Sequence, residues 1–168
     1  MKYSKAQISY HWASVALIVL MATTGMAYRY EILGKGVMTV HQIAGQLLII
    51  LLAVRLGTRL IRRTPVKARA TWDHRLSQVV HASLYLILIA YVVTGYVSAS
   101  ALTNNALLAP ADLAFARSDM GETLLETHYL LKWVLLATVS LHIAGAFKHL
   151  VWKQPEVLSH MTFTKAKD

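Results

Sequence analysis

Two histidines, His128 and His142, flank a run from Tyr129 to Leu141 that is almost wholly apolar and contains neither Pro nor Gly. Such a run reads as one helix in hydrocarbon. At about 100° and about 1.5 Å per residue, fourteen residues leave the two imidazoles about 40° apart in azimuth and roughly 21 Å apart along the axis. One helix therefore offers two ring nitrogens in a line, one toward each side of a bilayer core about 30 Å thick. Neutral imidazole is a ligand for redox metals, so a partner histidine at each depth would complete two redox centres across a membrane.

The fourteen-residue interval recurs. His11 precedes Gly25, His41 precedes Arg55 and His81 precedes Gly95 by the same distance. Each of these helices would carry a histidine at one level and a Gly or Arg on roughly the same face at the other. Glycine lets a backbone approach a flat plate such as a porphyrin, although packing between membrane helices uses it too. Gly45 and Gly145 are near His41 and His142 in sequence. Arg55 would stand at the inner level, where a propionate would need a cation, unless it snorkels to the interface. Lys132 falls one turn beyond His128 on the same face. It could neutralise an outer propionate, admit an anionic substrate, or snorkel outward.

Positioning these groups requires spanning helices, and the composition supplies them. The chain has 168 residues, 56% of them hydrophobic, and a mean hydropathy of +0.46. It reads as one membrane domain, residues 1–168. Four apolar segments, at about 8–28, 37–60, 76–101 and 122–152, each approach the roughly 20 residues that a span needs. The expected fold is all-α, an integral membrane four-helix bundle with no short internal repeat. With no cysteine in the chain, disulfides, iron–sulfur clusters and covalently attached c-type haem are excluded. The eight histidines are then the obvious metal ligands. The first apolar segment is long, carries His11 and lacks a small-x-small site, so a span is expected there and not a signal peptide.

The formal charge of +9 does not point to nucleic acid, because the basic residues lie between apolar segments. Lys2 and Lys5 precede the first. Arg55, Arg59, Arg62, Arg63, Lys67, Arg69 and Arg75 lie at the end of the second and in the link that follows. Lys148, Lys153, Lys165 and Lys167 close the chain. The remaining loops carry few cations beside Glu31, Asp112, Asp119, Glu122 and Glu126. The positive-inside rule then places both termini in the cytoplasm. The link from Thr103 to Gly121 would cap the outer end.

This topology fixes the depths. His11 falls in the inner half, His41 in the outer half, His128 outside and His142 inside. Pairing by depth joins His41 with His128 and His11 with His142, which gives two bis-imidazole sites. His149, seven residues beyond His142, is its rival as the inner ligand. It follows Lys148 at the helix exit, whereas His142 has apolar neighbours, and His142 is favoured. His81, in the inner half of the third segment, reads as a residue beside the inner site or in a quinone pocket. His74 and His160 lie in polar stretches and are expected to be solvated.

On these residues the chain resembles the bacterial cytochrome b561 family, related to the membrane b-type cytochromes of hydrogenases and formate dehydrogenases. The resemblance rests on Ile8-Ser-Tyr-His11-Trp12, on His41 with Arg55 and Arg59, and on His81 with Leu84-Tyr85-Leu86. The His128…His142…His149 run ending in Leu150-Val-Trp152-Lys completes it. It implies four helices, two non-covalent haem b groups and electron exchange with quinone in a bacterial inner membrane. Carried over, the haem ligands are His11, His41, His128 and His142. The chain looks like the branch in which superoxide is oxidised at the outer face and ubiquinone is reduced. The alternative is a membrane electron-transfer subunit serving a separate dehydrogenase or redox partner.

Overall fold

The computed structural model describes residues 4–61, 72–99 and 113–151, without the side chains at 73, 74, 99, 113 and 149–151. Five helices follow in order: α1 Lys5–Arg29, α2 Gly36–Ile61, α3 Trp72–Ala99, α4 Leu113–Ala116 and α5 Asp119–Val151. Four of them, α1, α2, α3 and α5, are long and apolar enough to cross a membrane. Their bounds run a few residues beyond the sequence expectation at most ends. The short α4 was not expected, and it lies in the stretch read as an outer cap. The turn from α4 into α5 passes Gly121, where a Cβ would run into the carbonyls of Phe115 and Ala116.

Local chemistry sets the helix ends. Ser4 caps α1 reciprocally: its Oγ accepts from Gln7 N at 3.3 Å, and Gln7 Oε1 accepts from Ser4 N at 3.0 Å. This is a capping box, which satisfies two amides that the helix start would leave unpaired. At the other end, Ile32 N donates to Ala27 O at 2.9 Å and Glu31 N to Tyr28 O at 3.2 Å. These are the two bonds of a Schellman ending, and they demand a left-handed residue at the position after the cap. Glu31 occupies it with φ 56°.

The radial distribution of side chains is that of a membrane protein. Buried polar residues include Ser14, Thr24, Gln42, Gln46, Thr94, Ser98 and His128. Meanwhile Leu86, Ile143 and Phe147 are 70%, 60% and 62% exposed. In water that arrangement would be inverted. In lipid the apolar exterior faces chains as apolar as itself, while polar groups bond within the bundle. The small core is built on Met21, Leu48, Leu52, Leu88, Tyr91 and Leu135.

The bundle consists of two helical hairpins. Helix α1 packs along α2 and α3 along α5, and α2 against α3 joins the pairs. Among the described residues, α5 makes no close backbone approach to α1 or α2, nor does α1 approach α3. A slot therefore runs between the hairpins, and the functional side chains project into it.

Candidate functional site

In one half of the slot, called outer here because the positive-inside rule would place it outward, His41 of α2 and His128 of α5 face each other, with ring centroids 6.4 Å apart and planes at 89°. Each ring is held by a helix of its own hairpin. His41 Nδ1 lies 2.9 Å from Met21 O and 3.3 Å from Thr24 Oγ1 on α1. His128 Nδ1 lies 2.9 Å from Tyr91 O and 3.5 Å from Thr94 Oγ1 on α3. The Tyr91 ring also stacks on His128, with centroids 4.0 Å apart and planes at 6°.

A carbonyl oxygen can only accept, so Nδ1 is the protonated nitrogen of both rings. Each Nε2 then carries a free lone pair. No buried side-chain nitrogen or oxygen among the described residues lacks a partner. The two Nε2 atoms, which bond to no described group, must therefore open on the space between the hairpins. That space is a cavity of about 310 Å³ bounded by His41, His128, Gly25, Gly95, Tyr129 and Lys132.

Gly25 and Gly95 have a role that the sequence did not indicate. A Cβ at Gly25 would meet His41 Cε1 at 3.0 Å, and one at Gly95 would meet His128 Cε1 at 2.6 Å. Their first service is to seat an imidazole from the neighbouring helix. Gly45 makes room for Met21 Cε, 3.2 Å from its would-be Cβ, and Gly145 faces open space, so neither cradles a ring. Lys132 lines the cavity, with Nζ 4.8 Å from the centroid of the Trp133 ring.

In the inner half, His11, Arg55, His81 and His142 gather within electrostatic reach of one another. Arg55 Nη2 lies 3.3 Å from His11 Nδ1. His81 stands edge-on to His142, with centroids 5.1 Å apart. The His81 Nδ1 bonds within its own helix, to Ser77 O at 2.6 Å. So His81 joins the inner cluster directly, beside His142, and Arg55 stands in that cluster next to His11. The side chain of His149 and the whole of His160 lie outside the described residues, as does the side chain of His74.

Two rings whose free nitrogens open on one apolar cavity have the chemistry to take a metal carried on a flat, apolar plate. The family profile described as prokaryotic cytochrome b561 matches residues 2–164. The chain belongs to the prokaryotic cytochrome b561 family. It is thus a multi-pass b-type cytochrome of a bacterial membrane, made for electron transfer, and b-type haem is its implied cofactor. Comparison with curated proteins and with solved structures finds no match.

The outer site of this cytochrome fits such a group. His41 and His128 would hold it: metal–imidazole bonds are about 2 Å long, and the 6.4 Å between the two ring centroids leaves room for a metal between them. Sequence reasoning missed Thr24, Thr94 and Tyr91. The available signal was the repeated Thr-Gly pair, Thr24-Gly25 and Thr94-Gly95.

Proposed function

We propose that this cytochrome conducts electrons across the bacterial inner membrane through two haem b groups. His41 and His128 would ligate the outer one, and His11 and His142 the inner one. The observation that carries the reading is the His41–His128 pair, both Nδ1 atoms committed to carbonyls and both Nε2 atoms free, astride a 310 Å³ cavity. Haem held by two histidines has no open coordination position, so it supplies outer-sphere electron transfer and not oxygen activation.

The residues determine what surrounds that chemistry. The apolar walls exclude water. Arg55 brings a cation to the inner cluster and Lys132 to the outer cavity. Basic residues at both termini and in the link between α2 and α3 orient both termini toward the cytoplasm. On the flank of α2 and α3, Arg59 lies over the Tyr85 ring at 5.2 Å. Beside it is a lipid-facing recess of about 580 Å³ lined by Leu56, Leu60, Leu86 and Ile89. An apolar recess with one cation and one phenol suits a quinone head group arriving from the bilayer.

The electron source favoured is superoxide at the outer face: two superoxide ions yield two molecules of oxygen, and one ubiquinone takes up the two electrons and two protons. A second reading, an electron-transfer subunit receiving electrons from a separate dehydrogenase or redox partner, gains support from outer-face charge. Glu31, Asp112, Asp119, Glu122 and Glu126 outnumber Arg29, Lys35, Arg117 and Lys132 there, so no broad cationic funnel steers an anion inward. Membrane vesicles of known orientation, mixed with superoxide in a stopped-flow instrument, separate the two. Haem reduction from the outer face without a partner supports the first reading; none from either face refutes it.

A further inference from the structure

The two outer imidazole seats are the same device, built twice. On α1, Thr24 Oγ1 donates to Leu20 O at 2.6 Å while its oxygen faces His41 Nδ1. On α3, Thr94 Oγ1 donates to Ala90 O at 2.8 Å while its oxygen faces His128 Nδ1. The correspondence is residue for residue: Leu20 with Ala90, Met21 with Tyr91, Thr24 with Thr94 and Gly25 with Gly95, an offset of 70 throughout. The received histidines, His41 and His128, are offset by 87, and so are Arg55 and His142. Hairpin α1–α2 thus repeats as hairpin α3–α5. Among the described residues, two of the inner histidines have other partners: His81 bonds to its own helix and His11 faces a cation.

We propose that Thr24 and Thr94 are paired positioning residues that set the electron-donating strength of His41 and His128 toward an outer haem. The proposal rests on the outer ligand assignment made above. In each seat the hydroxyl proton is taken by a carbonyl of its own helix, which turns the oxygen's lone pairs to the ring. The Nδ1–H then faces two acceptors, the carbonyl and the threonine oxygen. Hydrogen bonding at Nδ1 raises the basicity of the ligating nitrogen. A more basic imidazole favours ferric over ferrous iron and lowers the midpoint potential. Removing one acceptor reverses that and raises it.

Valine keeps the shape of threonine and deletes the hydroxyl, whereas serine keeps the hydroxyl and deletes a methyl. The test is a redox titration of the purified haem-loaded protein carrying Thr94→Val, Thr94→Ser, Thr24→Val or Thr24→Ser, with low-temperature EPR of the ferric state. Each valine variant is expected to shift the outer-haem ferrous-to-ferric ratio three- to tenfold toward ferrous, about 30–60 mV for a one-electron couple. Each should also move the low-spin g values, while each serine variant stays near wild type. Loss of the outer haem in the valine variants with retention in the serine variants supports the same role, because the hydroxyl is the group of threonine that serine keeps and valine lacks. An unshifted midpoint in both valine variants overturns the proposal, and so does a serine variant that behaves like valine. His41→Ala and His128→Ala run alongside: if both retain the full haem content, the ligand assignment itself has failed, and the threonines are not at issue.

Discussion

A single side chain can decide whether the outer site closes. Gly95 and Gly25 each back an imidazole, but not equally: the would-be Cβ lies 2.6 Å from His128 Cε1 and 3.0 Å from His41 Cε1. His128 is also the more constrained ring, buried at 7% exposure and stacked on Tyr91. A methyl at Gly95 must move that ring off the Tyr91 carbonyl or push α3 from α5, since a packed interface has no slack to absorb it. Gly95→Ala is therefore expected to lose more of the outer haem than Gly25→Ala, judged by pyridine haemochrome content per chain. Equal retention in both would mean that the glycines serve only helix packing. Depth was enough to place His41 beside His128 from sequence, because an antiparallel topology fixes which half each occupies. The threonines were not legible. A helical Thr ordinarily bonds its own i−4 carbonyl, and nothing in the chain says which neighbouring ring its oxygen faces until the hairpin partners are known.

Among the elements, the spans were legible because length and hydropathy are all that a bilayer demands of a helix. Neighbours were not, since azimuth on one helix does not say which helix lies opposite. This is why His81 was placed only loosely, although it lies against His142. The α1–α2 turn was opaque for a different reason. Its Schellman ending would be signalled by glycine, yet Glu31 stands there with φ 56° and the glycines come later, at 34 and 36. A side chain in the left-handed region costs about 1–2 kcal/mol. Glu31→Gly should recover about 1 kcal/mol after the added freedom of the unfolded chain is subtracted. Thermal unfolding in detergent should then move up by a few degrees, with the haem spectrum unchanged. A lower unfolding temperature would mean that the Glu31 side chain contributes more than its backbone costs.

At the scale of the whole molecule, two like hairpins leave a slot between them, and their asymmetries separate its two levels. The outer level keeps the repeat, with a histidine seated on a carbonyl and a threonine on each side. The inner level keeps it in His11 and His81, also 70 residues apart, and breaks it in the second helix of each hairpin, with Arg55 on α2 where α5 carries His142. Such a plan places one facing histidine pair toward one end of the bundle and a cation-flanked histidine cluster toward the other. The central claim is that His41 and His128 hold one and the same haem. It is tested most directly by haem quantitation and reduced-minus-oxidised spectra of His41→Ala, His128→Ala and the double variant, purified beside wild type. Two haems per chain are expected in wild type and one in each of the three variants, with the same spectral component lost every time. Loss of different components from the two single variants, or loss of both haems only in the double variant, would contradict it.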